Sequence, residues 1–162
     1  MENLTITKEA AIKAHVEASK NGKILLENLL GKKVFLTKIE ERIKSVDDAI
    51  KELGDNDIEV QEYKKLISAE IESHLLQYQS AIVICKALNE GWAPDWSNSA
   101  EYKYYPWFDM EGSSSGACFS YLDYAYWFTY SLVGSRLCFK SRELAEYAGK
   151  QFTEIYKKFM TI

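Results

Sequence analysis

In Tyr102-Lys103-Tyr104-Tyr105-Pro106-Trp107-Phe108-Asp109-Met110 the side chains alternate. Tyr102, Tyr104, Pro106, Phe108 and Met110 fall on one side, and Lys103, Tyr105, Trp107 and Asp109 on the other. A period of two is that of a β-strand, and large aromatic residues favour its pleated surface. Pro106 has no N–H to give to a ladder, which puts the strand at an edge or a bulge. On the C-terminal side, Gly112-Ser113-Ser114-Ser115-Gly116 reads as a hairpin loop. Ala117 to Tyr130 reads as a second strand region, interrupted near Tyr124. Ser135 to Lys140 reads as a third strand, with Leu137 and Phe139 facing one way and Arg136, Cys138 and Lys140 the other. Ser141 then caps a last helix whose apolar stripe is Leu144, Ala148, Phe152, Ile155 and Phe159.

On the N-terminal side the period changes to that of a helix. Tyr63, Leu66, Ile67, Ile71, Leu75, Tyr78, Ile82, Cys85 and Leu88 recur at spacings of three and four. The pattern from Ile58 to Asn89 lasts about nine turns. A helix of that length is unusual in a small domain, so a break or bend is expected near Ser68–Ser73. Leu75 to Leu88 is apolar on most sides, which makes it the central buried helix. Two capping boxes, Thr37-Lys38-Ile39-Glu40 and Ser45-Val46-Asp47-Asp48, start short helices at Lys38–Ile43 and Val46–Leu53, the second closed by Gly54. Further upstream Thr7 caps a helix that Asn21-Gly22 ends, and another runs from Ile24 to Leu30, stopped by Gly31. The expected fold is α+β and a single domain, 1–162. It has N-terminal helices and a long central helix to about residue 90, packed on a three-stranded antiparallel sheet with a C-terminal helix.

A length of 162 residues suits one core. The longest strongly apolar stretch, Ala81 to Cys85, is far too short to span a bilayer. The N-terminus shows no secretory signal. Neither membrane attachment nor export is therefore expected, and the location is cytoplasmic. Cys85, Cys118 and Cys138 form no C-x-x-C pair, so reduced buried thiols are expected rather than disulfides or a zinc site. His15 and His74 lack the neighbours of a triad or metal cluster, and no phosphate-loop or dinucleotide motif occurs. No cofactor or metal is implied.

Between Trp92 and Tyr130 lie all four tryptophans and 14 of the 22 aromatic residues. Such rings either fill a core or form a binding face. The same segment holds Asp95, Glu101, Asp109, Glu111 and Asp123 against one base, Lys103. Phosphate backbones would be repelled there, whereas a protein partner is readily accommodated and a carbohydrate is compatible. The leading expectation is a non-catalytic binding or adaptor protein, its partner another protein or a second copy of itself. Trp92, Trp96, Tyr105, Trp107 and Trp127, with Arg136 and Lys140, are the candidate binding residues. Arg136 and Lys140 on one strand face, with Lys103 on the next strand and Arg142 and Lys150 nearby, would instead form a small basic patch for nucleic acid. Asp95, Asp109 or Asp123 would serve as acid or base if the chain were an enzyme acting on a sugar or nucleotide.

Two stretches carry a resemblance. One is Ala87-Leu88-Asn89-Glu90-Gly91-Trp92-Ala93-Pro94-Asp95-Trp96 with Tyr102-Lys103-Tyr104-Tyr105-Pro106-Trp107-Phe108. The other is Gly134-Ser135-Arg136-Leu137-Cys138-Phe139-Lys140-Ser141 with Glu143-Leu144-Ala145-Glu146-Tyr147-Ala148-Gly149-Lys150-Gln151-Phe152. Together with Arg42-Ile43-Lys44-Ser45-Val46-Asp47-Asp48-Ala49, they resemble a family of small uncharacterised proteins of gut-bacterial genomes, prophages and phages. The resemblance covers roughly the last two thirds of the chain. It implies a phage or mobile-element setting in a bacterial host cell, and no activity or site residues.

Overall fold

The computed structural model describes residues 6–35, 38–71, 73–111 and 119–161. Thr37 of the first capping box, the Gly112–Gly116 loop and Cys118 lie outside them. The described residues form an α+β fold. Its elements are α1 (Lys8–Glu17), α2 (Lys20–Leu30), a 3-10 turn (Lys32–Phe35), α3 (Ile39–Arg42), α4 (Val46–Leu53), α5 (Ile58–Ser68), α6 (His74–Asn89), β1 (Lys103–Asp109), β2 (Ser120–Trp127), α7 (Arg142–Gln151) and α8 (Thr153–Met160). The chain divides into two compact units, Met1–Arg42 and Ile43–Ile162.

In the first unit Thr7 caps α1 by accepting the Ala10 N–H. Asn21-Gly22 does not end this helix. The Ser19 hydroxyl accepts the Gly22 N–H and starts α2 at Lys20, so the cap overrides the turn propensity of Asn-Gly. His15 is a packing residue. Its Nε2 lies 2.9 Å from Glu27 Oε1 and its ring stacks on Phe35, with centroids 4.2 Å apart.

The stretch from Ile58 to Asn89 is two helices rather than one long one. The chain leaves α5 at Ala69, Glu70 takes the left-handed conformation (φ 54°), and the Ser73 hydroxyl accepts the Leu75 N–H to begin α6. Helix α6 is buried on nearly every side from Ser80 to Asn89, packed by α4, α5 and α8. Asp57 caps α5 and also holds Lys86 of α6 at 2.8 Å. Burial raises the Asp57 pKa, but the Lys86 ammonium and the amides of Glu59 and Val60 outweigh it and keep the carboxyl below its ordinary range. The C-terminal helix is likewise split, with α7 ending at Gln151 and α8 beginning at Thr153. The Thr153 hydroxyl donates to the Gly149 and Lys150 carbonyls at the junction.

Strands β1 and β2 pair antiparallel, Lys103 opposite Trp127, Tyr105 opposite Ala125 and Trp107 opposite Asp123. The register slips after Trp107, so that Phe108 meets Tyr121 and Leu122 is the extra residue of a bulge. The expected third strand is not formed. Residues 135–140 meet β1 at one bridge, where Phe139 and Tyr104 exchange both backbone hydrogen bonds. Two features stop the pairing from extending. In one direction it reaches Pro106, which has no N–H to donate, and in the other Ser141, whose side chain starts α7. Two of the remaining backbone groups are claimed by Asn89 at the end of α6. Its Nδ2 donates to the Cys138 carbonyl at 2.8 Å and its Oδ1 accepts the Lys140 N–H at 3.0 Å. One side chain thus stands in for a neighbouring strand. Cys85 and Cys138 are buried free thiols, and burial pushes Cys138 up to about 11.

Helix α7 covers one face of the two-stranded sheet. Gly149 makes that approach possible. A Cβ there would sit 2.3 Å from the Tyr121 ring and 2.8 Å from Pro106 Cβ. Gly149→Ala adds helix propensity, worth about 1 kcal/mol, but overpacks a contact that includes a rigid proline ring, at about 1–3 kcal/mol. A lower thermal midpoint is expected. A raised midpoint would show that α7 stands further from the sheet.

Candidate functional site

The face of the sheet opposite α7 carries Lys103, Tyr105, Trp107 and Asp109 from β1, and Asp123, Ala125 and Trp127 from β2. Trp107 is 44% exposed and Trp127 39%, while the bulge pushes Leu122 out to 60%. Between them Tyr105 is only 3% exposed. The Trp127 indole N–H donates to its hydroxyl, and burial pushes the phenol pKa up. These residues line a shallow groove of about 450 Å³ with Asp123 in its wall. The hairpin makes this groove because side chains alternate along each strand, and one of the two faces is already occupied by α7.

Trp92 and Trp96 are half-buried and belong to the loop that leads into β1. That loop is organised by Lys103, which is 0% exposed. Its ammonium donates to the carbonyls of Asp95 (2.5 Å), Asn98 (3.1 Å) and Glu101 (2.9 Å), and lies 3.1 Å from the Glu101 carboxylate. It also sits 5.5 Å from the centroid of the Trp96 ring, whose N–H donates to Ser135 Oγ at 2.8 Å. Glu101 is raised by burial, but hydrogen bonds from the Asp95 amide, Lys103 and Trp92 outweigh that and hold it below its ordinary range. Asp95 is held low chiefly by the Ser97 hydroxyl and amide, which it accepts at 2.6 and 2.9 Å.

The expected basic patch is not assembled. Lys103 is enclosed, and Arg136 lies in a turn rather than on a strand face shared with Lys140. Arg136 lies 3.7 Å from Glu59 and joins Trp92 at a separate cleft of about 170 Å³ beside α6. Lys140 pairs with Glu90 at 3.0 Å. Arg142 and Lys150 share Glu146 and lie over the rings of Tyr124 and Tyr121 on the covered face. Of the seven sequence-derived binding residues, the structure gathers Tyr105, Trp107 and Trp127 at the groove. It sets Trp92, Trp96, Arg136 and Lys140 elsewhere.

Leu122 was not legible as a groove residue, because only the bulge turns it outward. Among the described residues no cluster of His, Cys, Asp or Glu could hold a metal ion, and no helix is long and apolar enough to cross a membrane. No protein-family model, curated protein or solved structure matches this chain.

Proposed function

We propose that the protein is a non-catalytic recognition or adaptor protein whose open sheet face docks a protein partner. The observation that carries this reading is the asymmetry of the sheet. Helix α7 seals one face, while Trp107, Trp127 and Leu122 stand exposed around the Tyr105 groove on the other. Exposed tryptophans at the centre of a patch are the residues that dominate binding energies. The carboxylates of this face disfavour phosphate backbones. They also disfavour an isologous second copy, which would bring the same acids to the interface while the one base of the face, Lys103, is enclosed and turned to its own loop. The setting suggested by the sequence resemblance is a phage or mobile element.

Trp107→Ala combined with Trp127→Ala tests the reading. The expected result is a loss of partner binding of about 30-fold or more. The variant should melt lower than the parent, because the two rings cover Tyr105 and Trp127 donates to its hydroxyl, so capture is compared at a temperature where circular dichroism shows both chains folded. Hydrogen exchange on the captured complex should show protection along β1 and β2 in the parent chain and none in the variant. Equal capture and equal protection in the variant would refute the role of this face.

A further inference from the structure

We infer that the groove takes a cationic side chain, arginine above all, presented on a basic peptide segment of the partner; this rests on the recognition reading above. The register sets Trp107 opposite Asp123, with Tyr105 and Trp127 on the same face and Asp109 two residues further along it. Among the described residues no ion pair reaches Asp109 or Asp123. Each instead accepts a backbone amide, Glu111 to Asp109 and Tyr124 to Asp123, at 2.8 Å. The residues that join the strands, 110–119, contain no Lys, Arg or His.

Elsewhere the same chain repeatedly completes a ring and a carboxylate with a cation. Arg142 lies 4.6 Å over Tyr124 and is bonded to Glu146. Lys150 lies 5.2 Å over Tyr121, again with Glu146. Lys103 lies over Trp96 with Glu101. On the open face, among the described residues, no cation bridges the rings and the carboxylates: Lys103 is enclosed by the preceding loop, and Arg142, whose charge reaches Asp123, is bonded to Glu146. A positive charge over an indole or phenol face is attracted by the ring quadrupole. A guanidinium can stack flat on Trp107 or Trp127 and still present its edge to a carboxylate, which an ammonium does less well. The groove is shallow, about 450 Å³, and suits a side chain carried on an extended backbone rather than an enclosed small molecule.

The test uses the full chain and a fluorescein-labelled peptide with four arginines spaced by Gly-Ser, beside the same peptide with citrulline in place of arginine. The arginine peptide should bind, and the citrulline peptide at least about tenfold more weakly. D109N/D123N and W107A/W127A should each weaken the arginine peptide at least about tenfold, with far-ultraviolet circular dichroism spectra at the assay temperature matching the parent's. Three results would overturn the inference: no binding to the parent chain, equal binding of the citrulline peptide, or undiminished binding to W107A/W127A, which would reduce the effect to the general charge of an acidic protein. If the peptide fails while partner capture still depends on the two tryptophans, the cationic occupant falls and the recognition face stands. If capture is also independent of them, both fall.

Discussion

Lys103→Met is expected to lower the unfolding free energy by about 3–5 kcal/mol, read from the midpoint of a urea titration. Methionine keeps most of the stem's volume and donates nothing. Three carbonyls and one carboxylate would lose their shared donor at once, and an unmade buried hydrogen bond costs about 1–3 kcal/mol. Glu101 keeps some contact with water, so its carboxylate can turn outward and the cost should fall toward the lower end of the range. The loop has no regular structure to fall back on. Its other fastenings are local turns, in which Asp95 accepts from Ser97 and Asn98 from Ala100, the Asp95 amide's bond to Glu101, and the Trp96 N–H to Ser135. Adding Glu101→Gln should recover part of the loss, because it removes the charge left without its cation. Because Lys103 opens β1 opposite Trp127, the loosening should also spread to the groove. A change below about 1 kcal/mol would mean that the ammonium does not anchor the loop.

Asn89→Leu is the second large effect, expected at about 2–4 kcal/mol. The substitution is close in size and suits the apolar surroundings of α6. It strands the Lys140 N–H and leaves the Cys138 carbonyl with only the Cys85 thiol, a weak donor at 3.2 Å. Residues 135–140 carry Phe139, which is wholly buried and bonded to Tyr104 of β1. Losing Asn89 should therefore release the segment that braces the outer edge of the sheet. Faster hydrogen exchange at Phe139 and Tyr104 would accompany the drop in stability. A variant as stable as the parent would show that the segment is held by Phe139 packing alone.

The elements that follow from local chemistry were legible in the sequence. Ser45 and Ser141 each cap a helix through their own hydroxyl, the break falls within the expected Ser68–Ser73, and the alternation from Tyr102 to Met110 contains strand β1, with the faces as read. What failed was decided by partners distant in sequence. Leu137 and Phe139 alternate as a strand would, but their neighbours' backbone groups are bonded to Asn89, some fifty residues earlier. Asn89 itself was a signal, a polar residue at the end of the mostly apolar helix read from Leu75 to Leu88. Lys103 was counted as surface charge, although a single base among five acids invites enclosure by them.

Which face of the hairpin stays open could not be read at all, since aromatic residues stand on both. Gly149 marks the covered side, but only once α7 is known to cross there. For that reason the candidate site was half legible. The exposed pair Trp107 and Trp127 was named with Trp92 and Trp96, and composition alone does not separate them.

The four tryptophans also provide the most direct measurement. Each contributes one indole N–H signal to a nitrogen–proton correlation spectrum of the unaltered chain, assignable by single Trp→Phe changes. On titration with the arginine peptide, the Trp107 and Trp127 signals should move together and saturate, while those of Trp92 and Trp96 stay in place. Movement confined to Trp92 and Trp96, or none at saturating peptide, would contradict recognition of a cationic segment through the open face.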